Sequence, residues 1–545
     1  MRSPPSAMLL SWIVSLSLVS SVIGGQIPIV DGVYGGVGST DAPQVETETL
    51  TPLATTPGAL RLTLNSGVCE TTPGVFQASG YGDLTSSKSI FFWYFPARNN
   101  PSRAPLSLWF NGGPGSSSMV GLLQELGPCR ITNDSSSVKL NPFSWNTNAN
   151  VLFIDQPVGV GFSHGTLSVE TSVDAAKDVW TFLQIFLKDS HFSALAKNAL
   201  ALWTESYGGH YGPTFAAYFL SQNAAIAAGT VRGIPLKLKT LGVGNGLTVR
   251  PNLTIPGLPH LCRVEPIPPA RLVFRSCECE YGVDDTDDWI IACDNGGSDS
   301  VCSDAQSYCN SNILSPLAGN FDVYYVPSGS NDPYLPDITS YLASVRTKIG
   351  AEVTWQETNL EVYSNFAATG DWMRTSLPDL EIVINSGVRV LIYAGDADYI
   401  MNFNGVEAMV TSLNTKFSAQ FKAQKFAPYK VKGLLAGQFK NAGTFSYLRI
   451  YGAGHEVPAY KNGSLAVGQA AFQMFSQIMS NQDFEGFSHI ICGFTSFFDA
   501  SMVKEVELFR NFNRAAVSVP RSIFLVPNSE PGSQKNDGDG LVSPS

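Results

Sequence analysis

The segment that most constrains the fold is ALALWTESYGGHYG, in which a short apolar run leads without a spacer into a glycine-rich stretch. Ala199 to Trp203 have the apolar character of a buried strand, and the glycines after Ser206 indicate the start of a helix. A tight turn between the two is one way to aim a serine hydroxyl, which is a weak nucleophile until a base takes its proton. The segment therefore predicts a strand, a tight turn that carries Ser206, and a helix.

Other short apolar runs have the same character and predict strands that are buried on both faces of a sheet. They are Ile90–Phe95, Leu106–Phe110, Val151–Ile154, Leu241–Val243, Val388–Tyr393 and Tyr447–Tyr451. Helical spacing lies between them, and in residues 172–187 it predicts an apolar face made of Val173, Ala176, Val179, Trp180, Leu183, Phe186 and Leu187. The alternation of strand and helix predicts an α/β fold with a doubly wound, mostly parallel sheet.

The N-terminus and the charge balance bear on destination and partners. Residues 1–25 contain one basic residue, Arg2, an apolar stretch from Met8 to Ile23 and two glycines, which is the layout of a secretory signal peptide. A membrane anchor is the alternative, but the stretch is short for a bilayer span. The net charge of -11, without a cluster of Lys and Arg, argues against nucleic acid as a partner. We therefore expect a secreted protein, with the vacuole as the other destination, and no stable membrane association.

The nine cysteines fit an oxidising compartment. Most of them crowd into one segment, which predicts a disulfide-stapled subdomain: Cys262, Cys277, Cys279, Cys293, Cys302 and Cys309. A zinc site is the weaker alternative, because this segment contains no histidine and no paired ligand spacing. Cys69, Cys129 and Cys492 remain, so one thiol is left over and the pairing stays open. Sequons at Asn133, Asn252 and Asn462 are candidate glycosylation sites in an exported chain.

Composition changes along the chain predict its organisation. The stretch between about residues 251 and 365 differs from both flanks in Pro, Asp and Cys content, and we interpret it as an insertion over the carboxyl ends of the strands, where open α/β sheets bind ligands. The predicted segments are the signal peptide at 1–25, a flexible lead-in at 26–59, the first part of the core at 60–250, the cap insertion at 251–365, the second part of the core at 366–518 and a flexible tail at 519–545.

A serine on such a turn needs a base and an orienting acid, each at the end of a later strand. The run VRVLIYAG ends in Asp396 and Asp398, and the run FSYLRIYGAG ends in His455. Together with Ser206 they predict a catalytic triad at one sheet edge, although a lone Asp or His is more often a cap or a surface residue. We choose Asp398 as the acid, because the residue farther beyond the strand can reach sideways to an imidazole.

The sequence WFNGGPGSSS offers an oxyanion hole. It follows the predicted strand Leu106–Phe110 and supplies Gly112 and Gly113, and only glycine lets the backbone approach closely in a tight turn. An ordinary Gly/Pro turn is the alternative. The N–H of Tyr207, directly after Ser206, is the second predicted donor.

With these motifs in hand, the chain resembles the serine carboxypeptidase family, and its secreted fungal members most of all. The resemblance rests on motifs in family order from Trp109 to Pro458: WFNGGPGSSS, GLLQELGPC, NVLFIDQPVGVGFS, TESYGGHY, YAGDAD and GAGHEVP. It implies an α/β-hydrolase fold with a cap insertion and an enzyme that acts on peptides or proteins with a free C-terminus, most effectively in acid. We expect no cofactor and no metal ion, and the oligomeric state stays open.

The resemblance also implies roles for individual residues. Ser206 becomes the nucleophile, His455 the general base and Asp398 the orienting acid, while the N–H groups of Gly113 and Tyr207 form the oxyanion hole. The substrate's terminal carboxylate is held by a set of residues beside them: Asn111, Glu125 and Glu205, with Trp109 and the Gly112 backbone.

Two carboxylates facing a third should repel it. The conflict disappears if Glu125 and Glu205 are protonated and donate hydrogen bonds, because crowded carboxyls in a poorly hydrated pocket have raised pKa values. Acidic working conditions follow from this hypothesis.

Two positions depart from the family pattern. Ser116 stands where many members have a cysteine, so we expect one familiar disulfide to be absent. Glu456 follows the histidine where Met is common, which predicts a carboxylate near the leaving group that favours a basic or amide-bearing C-terminal residue, unless it points into solvent. An acyltransferase or lyase on the same scaffold is the alternative activity, and a silent binding protein is disfavoured because Ser206, Asp398 and His455 are all present.

Overall fold

The computed structural model describes residues 29–30, 33–34, 55–248, 292–293, 295–318, 321–328 and 336–484, all within one unit of the chain, Met1–Gly486. Several predicted features lie outside these ranges. They are the signal peptide, the tail, the sequon at Asn252, and the cysteines Cys262, Cys277, Cys279 and Cys492.

The strands follow one another along the chain as β1 Ile29–Val30, β2 Val33–Tyr34, β3 Leu60–Leu64, β4 Ala78–Thr85, β5 Lys88–Phe95, β6 Leu106–Phe110, β7 Cys129–Ile131, β8 Val138–Leu140, β9 Asn150–Ile154, β10 His164–Gly165, β11 Leu200–Glu205, β12 Leu238–Gly244, β13 Arg389–Gly395, β14 Ala427–Val431, β15 Leu434–Ala442 and β16 Phe445–Ile450. Each predicted strand is present, with ends that differ by a few residues.

A 12-stranded sheet has the order β14-β15-β16-β13-β12-β11-β6-β9-β5-β4-β3, with β10 beside β5. The strands from β16 through β13, β12, β11 and β6 to β9 are parallel to their neighbours, and both flanks of the sheet are antiparallel. The sheet is therefore mixed, and its parallel centre brings the carboxyl ends of β6, β11, β12, β13 and β16 to one edge. Separate two-stranded ladders join β1 to β2 and β7 to β8.

The helices are α1 Ser172–Phe186, α2 Gly208–Ala227, α3 Asp299–Cys309, α4 Ser315–Ala318, α5 Thr339–Val345, α6 Leu360–Ala368, α7 Leu377–Asn385, α8 Phe403–Ser412, α9 Ser418–Ala423 and α10 Gln469–Met479. Short 3₁₀ turns occur at Trp145–Thr147, Ser193–Lys197, Val326–Ser328, Arg346–Ile349, Asp371–Met373 and Val457–Ala459, and π-helical turns at Gly121–Glu125 and Asn310–Leu314. Among the described residues, no helix has the length and apolar character needed to cross a membrane.

Both faces of the sheet are buried, as the apolar runs predict. Phe92 and Tyr94 of β5 pack into one apolar core, together with residues of α1, α2 and α7, whereas Phe91, Trp93 and Phe95 pack into a second core with α10. Successive side chains of a strand point to opposite faces, so a strand between two helical layers must be apolar throughout.

Helix α1 begins where the side chain of Thr171 accepts a hydrogen bond from the Asp174 N–H. Its buried face differs slightly from the predicted one, because Val173 is 49% exposed. Ala175, Val179 and Phe182 lie at the centre of the buried side instead. Val173 lies more than one quarter-turn away from the centre of that side, since each residue advances about 100° around a helix.

The structure pairs Cys69 with Cys129 and Cys293 with Cys302, and Cys309 is also disulfide-bonded. One bridge thus belongs to the predicted cysteine-rich subdomain and the other joins two cysteines outside it.

The two sequons within the described residues differ in their surroundings. Asn133 is exposed, but Asn462 is only 7% exposed and its amide donates hydrogen bonds to the carbonyl oxygens of Ala436 and Tyr451. The prediction of a glycan at Asn462 is therefore at odds with the fold, because the nitrogen that would carry the sugar is already used inside the protein.

Candidate active site

Ser206 occupies the turn between β11 and α2 with a φ of 63°, in the left-handed region that non-glycine residues rarely adopt. Its N–H donates to Gly244 O at 3.0 Å, and its carbonyl accepts from the N–H groups of Gly209 at 2.9 Å and Leu247 at 2.8 Å. These bonds on both sides hold the strained residue in place. The half-buried Ser206 side chain follows directly on the carboxyl end of β11.

His455 and Asp398 meet beyond the ends of β16 and β13. His455 Nδ1 lies 2.8 Å from Asp398 Oδ2, and both side chains are buried. The ring of Tyr324 stacks on the His455 ring with centroids 4.6 Å apart and planes 8° from parallel. Asp396 has a different position, because its Oδ1 accepts the Gly452 N–H at 2.6 Å and stabilises the turn itself.

Asn245 connects the acid to the sheet. Its Nδ2 donates to Asp398 Oδ2 at 2.5 Å, and its Oδ1 accepts from Gly395 N at 3.0 Å. Asn245 is not among the residues predicted from the sequence, although it follows the strand Leu238–Gly244 directly and so had to lie at the same sheet edge. The carboxylate that faces the imidazole is thus held by a side chain from the neighbouring strand.

The glycine turn after β6 lies directly against the Ser206 turn. A Cβ at Gly112 would lie 2.4 Å from Tyr207 N and 2.8 Å from Ser206 Cβ, so only glycine fits here. Gly113 has a φ of 104°. Neither the Gly113 N–H nor the Tyr207 N–H donates to another group in the described part of the chain. The two N–H groups predicted to bind an oxyanion are therefore available to a ligand.

Asn111 joins two buried glutamates beside this turn. Its Nδ2 donates to Glu125 Oε1 at 3.1 Å and to Glu205 Oε1 at 3.2 Å. Its Oδ1 accepts from Trp109 Nε1 at 2.7 Å and Gly121 N at 3.0 Å, which sets the orientation of the amide. The structure thus brings together the residues that sequence analysis assigns to the substrate carboxylate.

The two glutamates favour their protonated forms. Burial raises the pKa of Glu125 to about 7, and burial followed by the nearby charges of Glu125 and Glu456 raises the pKa of Glu205 well above its usual value. The Oε2 atom of each accepts no hydrogen bond from the N–H and O–H donors of the described residues, which leaves the two carboxyls to share a proton with each other. Two buried carboxyls this close are more stable when they carry at least one proton, because a shared proton removes the repulsion between like charges.

Glu456 is 0% exposed, so the alternative in which it points into solvent is wrong. The 3₁₀ turn Val457–Ala459 directs the chain inward after His455, and the hydroxyl of Tyr460 donates to Glu456 Oε2 at 3.2 Å. A third buried carboxyl therefore lies close enough to Glu205 to raise its pKa.

Ser116 faces Thr358 across an isolated antiparallel bridge, and their hydroxyl oxygens are 2.9 Å apart. As expected from Ser116, no disulfide can form at this position, and a pair of hydroxyl groups lies there instead. The bridge joins the glycine turn of the site to the segment just before α6.

Comparison with known protein families identifies the family to which these motifs and this geometry belong. The model of the serine carboxypeptidase family matches residues 68–481. The chain belongs to the serine carboxypeptidase family. It is therefore a serine-type carboxypeptidase with the α/β-hydrolase fold, and the family assignment covers every residue of the site described above.

Individual relatives agree with this assignment. The chain is 44% identical over 426 residues to carboxypeptidase S1 of Penicillium janthinellum, an alignment that covers 77% of this chain and 98% of that protein. It is 37% identical over 395 residues to carboxypeptidase Y of Komagataella phaffii, covering 70% of this chain and 73% of the relative. The crystal structure of a prohormone-processing carboxypeptidase from Saccharomyces cerevisiae has a TM-score of 0.55 at 20% identity, covers 77% of this chain and 95% of its own, and supports the fold.

Proposed function

We propose that this serine carboxypeptidase is exported and releases C-terminal amino acids from peptides and proteins through an acyl-enzyme on Ser206, most effectively in acid. The observation that carries the proposal is the buried Asn111–Glu125–Glu205 cluster, whose Glu205 directly precedes Ser206. A cluster of carboxyls that favour their protonated forms, next to an aimed hydroxyl, suits a substrate with a terminal carboxylate. It offers little to an ester or amide that lacks one.

In the proposed mechanism, Ser206 Oγ attacks the carbonyl carbon of the last peptide bond and its proton passes to His455 Nε2. The negative charge that develops on the carbonyl oxygen is stabilised by the N–H groups of Gly113 and Tyr207. The C–N bond then breaks as His455 returns the proton to the leaving amine, and the freed amino acid departs. Water, activated by His455, hydrolyses the acyl-enzyme and restores Ser206.

Asp398 acts by holding His455. Its contact with Nδ1 keeps the proton on that nitrogen, so that Nε2 is free to accept the proton of Ser206. Asn245 and the Met401 N–H, at 3.3 Å from Oδ1, in turn hold the carboxylate. The imidazolium that forms during attack is stabilised by this fixed negative charge.

The carboxyl groups of Glu125 and Glu205 recognise the substrate by donating hydrogen bonds to its terminal carboxylate. Their protonated forms remove the repulsion that two anionic glutamates would exert on a third carboxylate. This places the cleaved bond one residue from the end of the chain, which distinguishes a carboxypeptidase from an endopeptidase. Acidic conditions favour the binding-competent form.

Glu456, beside this cluster, is proposed to act on the leaving-group side. Its buried carboxyl adjoins His455 in the chain and raises the pKa of Glu205. Its charge would favour a positively charged or amide-bearing C-terminal side chain nearby, although the carboxyl itself is fully buried. We therefore propose that C-terminal Lys, Arg, Asn or Gln is accepted better than the apolar character of the surrounding core would suggest.

Export is supported by the predicted signal peptide and by the disulfides Cys69–Cys129 and Cys293–Cys302, which persist in oxidising compartments. The proposed substrates are peptides and proteins with a free C-terminus.

The test combines labelling with product analysis. Purified protein and its Ser206→Ala variant are treated with a fluorophosphonate and with N-blocked dipeptides ending in Leu, Lys or the corresponding amides, at acidic pH. We expect an adduct on Ser206, release of free Leu and Lys from the acids, slower reaction of the amides, and no reaction of the variant. Absence of both adduct and release would refute the proposal, and transfer of the acyl group to an added alcohol in preference to water would support the acyltransferase alternative.

A further inference from the structure

A buried polar network connects Tyr207 to two other parts of the fold. The Tyr207 hydroxyl donates to Asp371 Oδ2 at 2.5 Å. The same oxygen accepts from the Ser172 hydroxyl at 2.6 Å and from the Ser172 N–H at 3.1 Å. One carboxylate oxygen therefore joins the Ser206 turn, the N-terminus of α1 and the 3₁₀ turn Asp371–Met373.

The surroundings of Asp371 supply several hydrogen-bond donors. The Ser172 N–H belongs to the first turn of α1, where unpaired N–H groups and the helix dipole favour negative charge. Three donors converge on one oxygen of a residue that is itself buried. Three hydrogen bonds at one oxygen restrict its position, so this oxygen is a firm anchor for a hydroxyl group.

The Tyr207 ring is held on its other sides by aromatic neighbours. It stacks on His210 with centroids 4.6 Å apart and planes 23° from parallel, and it meets Tyr211 and Phe366 edge-on at 5.1 Å and 5.8 Å. These contacts restrict where the ring lies, but an aromatic ring can still slide or tilt against apolar partners. The hydroxyl-to-carboxylate bond fixes the far end of the side chain in one direction.

The backbone of Tyr207 is the part that matters for catalysis. Its N–H follows the strained Ser206, and the Gly112 turn approaches its nitrogen so closely that a Cβ at Gly112 would lie 2.4 Å away. An oxyanion donor must point at the charge to within a narrow angle, and a side chain tethered at its far end limits rotation of its own backbone.

We propose that Asp371, through the Tyr207 hydroxyl, is a positioning residue that aligns the Tyr207 N–H with the oxyanion formed at Ser206. The inference rests on the proposed function, and it adds a residue that lies outside every recognisable motif of the sequence. Asp371 acts through Tyr207 and contacts no reacting atom. The effect should appear in the transition state and leave substrate binding unchanged.

The test uses Tyr207→Phe, which keeps the ring and its stacking, together with Asp371→Ala and the conservative Asp371→Asn. Tyr94→Phe is the matched control, because the Tyr94 hydroxyl also donates to a buried acceptor, Asn150 Oδ1 at 3.0 Å, but lies on β5, which β9 and β6 separate from β11. Complete loss of an oxyanion donor lowers kcat by roughly 10²- to 10³-fold, so a donor that stays but loses its alignment should cost about tenfold.

We expect kcat to fall about tenfold in Tyr207→Phe and Asp371→Ala, to recover in part in Asp371→Asn, and to stay unchanged in Tyr94→Phe, with KM constant throughout. The double variant Tyr207→Phe, Asp371→Ala should lose no more than either single variant, since both remove one interaction. A peptide aldehyde that forms a tetrahedral adduct should bind more weakly by the same factor, whereas a product-like peptide should bind as before.

Equal kcat in Tyr207→Phe and Tyr94→Phe would overturn the inference, as would a change confined to KM or an equal weakening of both inhibitors. If Asp371→Ala fails to fold, Tyr207→Phe decides the matter alone, because it retains the aromatic packing. Failure of the wild-type protein to react with a fluorophosphonate would count against the proposed function instead, so the two failures can be distinguished.

Discussion

The raised pKa values of Glu125 and Glu205 make the binding of substrate depend on pH in a defined direction. Both carboxyls are buried and adjacent, and burial is the largest cause of each shift. A carboxyl whose pKa is raised is neutral below that pKa and loses its proton as the pH rises through it. Recognition of a terminal carboxylate should therefore be complete in acid and should weaken toward neutral and alkaline pH.

The size of the effect follows from the pKa of Glu125, which burial raises to about 7. If loss of the Glu125 proton abolishes binding of the substrate carboxylate, KM is multiplied by one plus the ratio of ionised to neutral Glu125. That factor is close to one at about pH 5 and about tenfold at about pH 8, which corresponds to roughly 1.4 kcal/mol of binding free energy. Because the proton is needed for binding, the change should appear in KM more than in kcat.

The assay measures kcat and KM for an N-blocked dipeptide from about pH 5 to about pH 8, in the wild-type protein and in Glu205→Gln. A glutamine keeps the donor to the substrate and the acceptor for Asn111 but cannot ionise, so the rise in KM should be reduced, and it should vanish in Glu125→Gln, Glu205→Gln. The ester of the same dipeptide is the control, since it carries no carboxylate and its KM should vary little with pH. A wild-type KM that stays constant, or a double variant that retains the full rise, would refute the shared-proton account.

Two further predictions follow from the site. Asp398→Asn should lower kcat by roughly 10⁴-fold, because an amide in place of the carboxylate favours the wrong His455 tautomer. Asp396→Asn should change kcat little, since Asp396 contacts the Gly452 N–H and not the imidazole. Similar losses of kcat in both variants would contradict the assignment of Asp398 as the acid. The double variant Ser116→Cys, Thr358→Cys should form a disulfide where the hydroxyls now lie 2.9 Å apart, and this disulfide should raise the free energy of unfolding by about 2–4 kcal/mol. Thiol titration and denaturant unfolding, compared with the single-cysteine variants, measure the two effects. Two free thiols in the folded double variant would refute the prediction.

Most of the predicted site residues share one property, which is that they lie at or just beyond the end of a strand. Ser206, Asp398 and His455 come after β11, β13 and β16, and parallel strands bring such positions to one edge whatever the loops between them do. Trp109, Asn111 and Glu205 lie at the ends of β6 and β11 for the same reason. Glu125, in a π-helical turn, was reached only through the resemblance to the family.

Local sequence thus determined the central strands β5, β6, β9, β11, β12, β13 and β16, the helix α1 and the order in which polar side chains follow the sheet, because hydrophobic period and turn chemistry act over a few residues. Only the tertiary structure decided that Glu456 and Asn462 are buried, that Val173 is exposed, and that the hydroxyls of Ser116 and Thr358 meet. It also brought Asp371 to Tyr207, across 164 residues of chain. Contacts of this kind depend on how helices and loops pack against the finished sheet, and no pattern within either segment carries that information.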